Sequence, residues 1–413
     1  MENLISQLPP MLSGDELTEA LYALPTYDSE IRKQDVSSRI LALEDLYRIY
    51  IPSEISRETY TKLYISIIRG LKNKESIEAV KQQNQNFLTM KGQEHRGIIT
   101  GADSFTILGA SGIGKSTAIA KAIDLATNGN MITTDTTTII PCIQVQCPFD
   151  CSAKNLLLNI LDTIDRTVGS NYYEKAIRAR ATTDILIGSV SNILLNRVCV
   201  LIIDEIQNVV NHRAGNSLVG VLVQMINNSG ITVCMVGIPE SETFFQKTDY
   251  LARRAVGLRF EKMEYGSEFI HFCQTIYGYQ YTQKAESFNE SHSLWLYEHT
   301  GGVIALVLAL LHDAQEIAIL EGGDTLSIAA LEAAYKKRYS MIKGNKIVKL
   351  SKTGTKKKNS VAISMDTTKT ENNSVATDCV SSSYSTVINT AKAQNLDLIR
   401  SLKTHFKVWE VAL

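Results

Sequence analysis

The stretch Leu108-Gly-Ala-Ser-Gly-Ile-Gly-Lys-Ser-Thr117 decides how the rest of the chain is read. Gly109 to Ser116 match G-x-x-x-x-G-K-[ST] in full, and the match follows the β-branched run SFTIL (104–108) and opens the helical run KSTAIAKAIDLA (115–126). A strand, a glycine loop and a helix form the setting in which this pattern cradles phosphate. Backbone N–H groups wrap the anion, and the helix N-terminus adds partial positive charge. The expected nucleotide-binding residues are therefore Gly109, Ala110, Ser111, Gly112, Ile113, Gly114, Lys115, Ser116 and Thr117. Lys115 is expected to reach the β- and γ-phosphates and Ser116 to ligate a metal, so the cofactors expected are ATP and Mg²⁺.

The second half of such a site reads VCVLIIDEIQNV (198–209), an apolar strand ending in Asp204-Glu205. Asp204 is placed to hold Mg²⁺, directly or through water, and Glu205 to orient and polarise the attacking water. The adjacent acid pair suits hydrolysis better than transfer to a small-molecule acceptor. Multimeric ATPases complete their sites with an arginine from a neighbouring subunit. DYLARRAVGLRF (249–260) offers Arg253 and Arg254 for that role, with a surface ion pair or a DNA phosphate contact as competing uses.

Working outward, near-continuous apolar runs recur at TIIPCIQVQ (138–146), VCVLII (198–203), ITVCMV (231–236) and VGLRF (256–260), with helical sequence between them. That is the pattern of a parallel sheet covered on both faces. The fold expected is an α/β P-loop domain, its parallel sheet flanked by helices. Four zones follow: a helical N-terminal extension over 1–100, the α/β core over 101–262, a helical lid over 263–342, and a tail over 343–413. The lid runs SEFIHFCQTIYGY, SLWLYEHT, VIALVLALLHDAQEIAIL and SIAALEAAYKKRY carry apolar residues at helical spacing, broken at Gly301-Gly302 and Gly322-Gly323.

Composition bounds the partners. The chain has 413 residues, 44% apolar and 21% charged, with a net charge of -1. No global pull toward nucleic acid follows, so any such contact must come from local basic clusters. The opening MENLISQLPP lacks a basic start and an apolar h-region,. The longest apolar run, Val303 to Leu311, is far short of the roughly 20 residues of a membrane-spanning helix,. A cytoplasmic location with no membrane partner is expected. Of seven cysteines, Cys142, Cys147 and Cys151 cluster as C-x4-C-x3-C without a CxxC or a nearby histidine. That spacing favours buried reduced thiols over a metal centre.

Double-stranded DNA is the macromolecular ligand expected for the basic residues. Lys154, Lys175, Arg178 and Arg180 are the candidates in the core, with Tyr172 and Tyr173 beside them. An ordinary solvated helix face is the competing reading. The Thr-rich loop ITTDTTT (132–138) could add donors. KKRYSMIKGNKIVKLSKTGTKKK (336–358) holds ten Lys or Arg and no acid, which suits contact with DNA or a partner, or simply a soluble linker. No sequence-reading module stands out, so backbone and shape recognition is expected. Residues 359–390 are Ser/Thr/Asn-rich and read as a flexible tether,. Beyond it, Leu398, Leu402, Phe406 and Trp409 fall on one helical face of QNLDLIRSLKTHFKVWEVAL. A tethered amphipathic helix suits a partner's groove or docking back on its own chain.

The order of these parts (phosphate loop, strand, DE-ended strand, ITVCMVG, Arg pair, helical lid) resembles AAA+ ATPases. The leader LPPMLSGDELTEALYALPTYDSEIRKQDVSSRILAL (8–43), followed by ETYTKLYISIIRGL (58–71), narrows the likeness. With ILGASGIGKSTAIAKAI, IPCIQVQCPFD, VLIIDEIQNV and VCMVGIPES, the chain resembles TnsC-type transposition regulators, relatives of TniB and MuB, over about residues 8 to 340. The resemblance implies an ATP-dependent adaptor that assembles on DNA as a ring or helical filament. Such an adaptor links a target-selector protein to the transposase, and hydrolysis promotes disassembly. It also implies that the tail tip meets the transposase or an associated endonuclease, and that the N-terminal extension meets the target selector. Two departures point to slow turnover. GGVIALVLALLHD (301–313) has no arginine where many AAA+ lids place one, and MVGIPES puts Ile238 where related chains often show Thr, with Glu240 and Ser241 as nearby substitutes. The rival readings are an initiator or helicase-loader ATPase, which would carry a winged-helix domain after the lid, and a ligand-sensing signalling ATPase, which would carry a repeat array.

Overall fold

The computed structural model describes residues 4–74, 76–90, 104–134, 137–210, 215–245 and 257–339, all within one unit, Met1–Ser351. Six strands form its sheet: β1 Phe105–Gly109, β2 Ile132–Thr133, β3 Thr138–Gln146, β4 Val198–Asp204, β5 Thr232–Gly237 and β6 Leu258–Phe260. Their order is β2-β3-β4-β5-β1-β6. All pairings are parallel except β2 with β3. β3 coincides with the run read from sequence. β4 extends one residue further, to Asp204, and β6 is the shorter Leu258–Phe260.

Helices cover both faces. The N-terminal helices are α1 Gly14–Leu21, α2 Val36–Ala42, α3 Glu54–Lys74 and α4 Ile77–Met90. The core helices are α5 Lys115–Thr127, α6 Ala153–Val168, α7 Tyr172–Arg178, α8 Thr183–Arg197, α9 Gln207–Val210, α10 Gly215–Ser229 and α11 Glu242–Phe245. Side chains alternate across a strand, and β4 shows it. Val200 and Ile202 join one cluster with Tyr60, Leu63 and Ile67 of α3 and Ile119 and Ala122 of α5. Leu201 and Ile203 join the opposite cluster with Ile160 of α6, Val190 and Leu194 of α8 and Met225 of α10.

The N-terminal extension is thus a layer of the sheet domain. A Cβ on Gly70 would stand 2.6 Å from Cys199 Cβ, so α3 lies directly on β4. Lys74, half-buried at the end of α3, donates to the carbonyls of Leu194, Leu195 and Val198 at 3.2, 2.6 and 2.7 Å. It caps α8 where that helix turns into β4, sharing the Leu194 carbonyl with the Val198 amide and pairing carbonyls at a helix C-terminus,.

The lid comprises α12 Ser267–Tyr277, α13 Glu290–Thr300, α14 Ile304–Glu321 and α15 Ile328–Ala334. Leu43, Leu46 and Ile49 of the N-terminal segment belong to its core, beside Phe269, Leu296 and Leu311. Further joints hold the same segment. Tyr27 donates to the Gln280 carbonyl at 2.5 Å, and Tyr279 to that of Pro25 at 3.1 Å. Arg39, 2% exposed, donates to the Tyr281 carbonyl and to Asp324 at 3.2 and 2.7 Å. Since Leu17 and Leu21 sit in the sheet cluster, the leader is anchored to core and lid alike. No single helix among the described residues is long and apolar enough to cross a membrane. The pair α13 and α14 passes together on length and composition, bent by 118°.

The beginning of the basic run belongs to the lid. Lys336 pairs with Glu332 at 3.7 Å, Lys337 with Glu321, and Arg338 with Asp313 and Glu316 at 2.6 Å each. Three of the positive charges read as available to DNA are therefore matched by acids distant in sequence or one helical turn away.

Candidate nucleotide site

The strand order sets β4, β5 and β1 side by side in the sheet, and a cavity of about 310 Å³ opens at their C-terminal ends. Ser111, Gly112, Gly114, Lys115, Ser116 and Thr117 line one side, and Asp204, Glu205 and Gln207 the other. Gly237 and Ile238 at the end of β5, with Ile304, Ala305 and Leu308 of α14, complete it.

Backbone demands explain two of the loop's glycines. Gly114 caps α5 at φ +92, a left-handed conformation that glycine adopts readily,. A Cβ on Gly109 would lie 2.5 Å from the Phe260 carbonyl oxygen, so β6 can approach the loop only because no side chain is there. The Lys115 ammonium donates to the carbonyls of Gly109 and Ala110 at 2.7 and 2.9 Å. Burial pushes its pKa down, while the charges of Asp204 and Glu205 oppose that shift.

Across the cavity, Gln144 of β3 donates to Asp204 Oδ2 at 3.2 Å, and the Glu205 amide donates to Asp204 Oδ1 at 2.8 Å. Glu205 is exposed and stands at φ +58, unusual for a residue with a side chain,. Gln207, the first residue of α9, donates through Nε2 to Glu205 Oε2. The sequence reading assigned Gln207 no role; its place two residues beyond the acid pair was the available signal. Oxygen ligands of the Ser116 and Asp204 type suit Mg²⁺. A glycine loop at the start of α5, with a lysine among its carbonyls, suits a polyphosphate. The residues present therefore fit ATP and Mg²⁺.

The lid's contribution to this cavity is apolar: Ile304, Ala305 and Leu308. Its backbone nevertheless engages the loop, with the Ala305 amide donating to the Gly112 carbonyl at 2.9 Å. Ile238 lines the cavity and Ser241 is fully buried.

The other sequence candidates lie apart from this cavity's lining or outside the described residues. Arg253 and Arg254 fall outside them, as do Leu398, Leu402, Phe406 and Trp409. Lys154 is exposed in the first turn of α6, and Lys175 is exposed on α7. Arg178 pairs with Glu174 at 2.9 Å, both well exposed. Arg180 stands beyond the end of α7 at φ +48, so it leaves the helical row that contains Lys175 and Arg178. Of the clustered cysteines, burial raises the pKa values of Cys142, Cys147 and Cys151. Thiols held protonated are poor metal ligands. Among the described residues, His312, Asp313 and Glu316 come close enough to share an ion, but the Arg338 guanidinium already bonds both carboxylates.

Residues 88–265 match the family model described as Bacterial TniB protein. No curated protein matches the chain. Among solved structures, the Aeropyrum pernix ORC1 protein in complex with DNA is 13% identical, with a TM-score of 0.40, covering 63% of this chain and 64% of that one. Drosophila ORC bound to DNA is 13% identical with a TM-score of 0.45, covering 80% and 70%. The chain thus spans just under two thirds of the archaeal protein's length, and at these scores the likeness adds nothing to the sheet order described above. Over residues 88–265, which hold the glycine loop and the DE-ended strand, the chain is thus similar to the bacterial TniB family, on an α/β sheet of order β2-β3-β4-β5-β1-β6.

Proposed function

We propose that this protein is an ATP-dependent DNA-binding adaptor of DNA transposition. It oligomerises on double-stranded DNA, connects a target-selector protein to the transposase, and is released when ATP is hydrolysed. The observation that supports this most is the family match, which covers both the phosphate loop and the DE-ended strand.

Within this reading, backbone amides of the glycine loop and the α5 N-terminus bind the phosphates, with Lys115 supplying the charge. Ser116 and Asp204 hold Mg²⁺, which when bound neutralises charge on the phosphates. Glu205 accepts a proton from the attacking water. Arg253 or Arg254 completes the site of a neighbouring protomer. The lid adds no cation to the cavity at Ile304, Ala305 or Leu308, which suits slow turnover and a nucleotide used as a timer on an assembly. Lys154, Lys175, Arg178 and Arg180 are the proposed phosphate-backbone contacts. The tail residues Leu398, Leu402, Phe406 and Trp409 are the proposed contact with the transposase or its partner.

Negative-stain electron microscopy of the full chain with duplex DNA tests this reading. Rings or filaments are expected with ATP, persisting in Glu205→Gln and absent in Lys115→Ala. A protein that stays monomeric on DNA in every nucleotide state would remove the mechanism and favour a ligand-sensing switch.

A further inference from the structure

We propose that Gln207 is a positioning residue that restrains the Glu205 carboxylate and slows ATP hydrolysis. This rests on the reading of Glu205 as the group that activates water. Two observations carry it. First, the carboxamide lines the candidate nucleotide cavity and donates its Nε2 hydrogen to Glu205 Oε2. Second, the oxygen of the same carboxamide, Oε1, is buried and finds no hydrogen-bond partner among the described residues. A buried acceptor left unpaired opposes folding. Among the described residues the one hydrogen bond of the amide falls on Glu205.

The backbone around Glu205 leaves that contact decisive. The Glu205 amide is bonded to Asp204 Oδ1 at 2.8 Å, and its carbonyl accepts from the Asn208 amide at 3.1 Å. With the main chain pinned at φ +58, the direction of the carboxylate is set by side-chain partners, and Gln207 is the partner present. A hydrogen bond donated to the carboxylate occupies an oxygen that would otherwise accept from water and fixes the direction of the group. The charged groups around the cavity are Lys115, Asp204 and Glu205. Lys115 and Asp204 act on Glu205 whether or not the amide is there.

Single-turnover hydrolysis by the full chain on DNA tests the restraint, with Gln207→Met and Glu205→Gln measured beside the unaltered protein. Methionine keeps the length and loses the donor. Gln207→Met is expected to raise the single-turnover hydrolysis rate by about tenfold, the worth of one hydrogen bond to a charged group, with ATP affinity changed less than twofold. A rise confined to the hydrolysis rate, with ATP affinity unchanged, is what a purely structural role would not produce. Gln207→Asn, too short to reach, is expected to change the single-turnover rate in the same direction and serves if the methionine variant fails to fold. If Glu205→Gln abolishes hydrolysis while both Gln207 variants match or fall below the unaltered rate, the restraint is disproved and the role of Glu205 stands. If Glu205→Gln hydrolyses normally, both readings fall.

Discussion

The Ala305 amide donates to the Gly112 carbonyl at 2.9 Å, so the first turn of the lid helix α14 is hydrogen-bonded to the phosphate loop itself. Lid position and loop conformation are thereby linked through backbone, without a charged side chain. Gly112 stands at φ +79, and a Cβ there would lie 3.2 Å from both Ala305 Cβ and Val303 Cγ1. Gly112→Ala is expected to strain the loop and push the lid away. ATP affinity should fall by at least about tenfold, in line with 1–3 kcal/mol for a residue forced into a sparsely populated conformation. Isothermal titration with ATP and Mg²⁺ measures it, and unchanged affinity would show that lid and loop are uncoupled.

The apolar lining supplied by α14 leads to a gain-of-function test. Preorganised positive charge near a transferring phosphoryl group stabilises its transition state. Ala305 is exposed at the cavity edge. Ala305→Arg is expected to raise kcat several-fold without loss of ATP binding, because the Ala305 amide that bonds Gly112 is retained. A steady-state phosphate-release assay checks it, and a rate equal to or below the unaltered one would count against the lid as a determinant of slow turnover.

Much of the sheet was legible because buried parallel strands announce themselves as apolar runs: TIIPCIQVQ is β3, residue for residue. The phosphate loop and acid pair were legible because their residue types and spacing are dictated by the ligand. What could not be read depends on contacts between distant residues. Arg39 looks like any helix-surface arginine until the chain folds and buries it against Asp324, 285 residues away. Lys74 ends a polar helix, and nothing local shows that it caps α8. The positive run at 336–338 seemed unopposed because Asp313, Glu316 and Glu321 lie a helix earlier. Arg180 is only two residues beyond Arg178, but α7 ends at Arg178 and Arg180 turns away at φ +48.

Lys74 offers a stability test with a defined pH sense. Burial pulls its pKa down from 10.5 to about 8. A base whose folded pKa is depressed favours the unfolded state while charged, so its penalty is present below pH 8 and relieved as pH rises toward 10.5. The full relief is about 3 kcal/mol at 1.36 kcal/mol per unit,. Lys74→Met removes three carbonyl contacts and should cost about 2–4 kcal/mol near neutrality. The gap between variant and unaltered protein should widen from pH 8 to 10.5. Denaturant melts across that range decide it, and a constant gap would mean that Lys74 does not titrate there.

The joint between Arg39 and Asp324 makes the last prediction, and it concerns the lid. Burial raises the Asp324 carboxyl, but the Arg39 hydrogen bond, the Gln283 amide and the charges of Arg39 and Lys284 outweigh it and hold the group below its ordinary range. A carboxylate with a depressed folded pKa contributes stability above its unfolded value. That contribution is lost as pH falls below about 4 toward the folded value. Asp324→Asn should flatten this acid limb. It should also cost about 3 kcal/mol at neutral pH, because it leaves a guanidinium that is 2% exposed without its counter-charge,. The loss should be local. Arg39 joins the leader to the lid, whereas β4 and β5 pack between the sheet's own helices. Native-state hydrogen exchange is expected to show weakened protection in α12 to α15 and around residues 36–49, with strands β4 and β5 unchanged. Uniform weakening across sheet and lid would instead mean that leader, lid and core open as one cooperative unit. Lid movement could then not be separated from unfolding of the site.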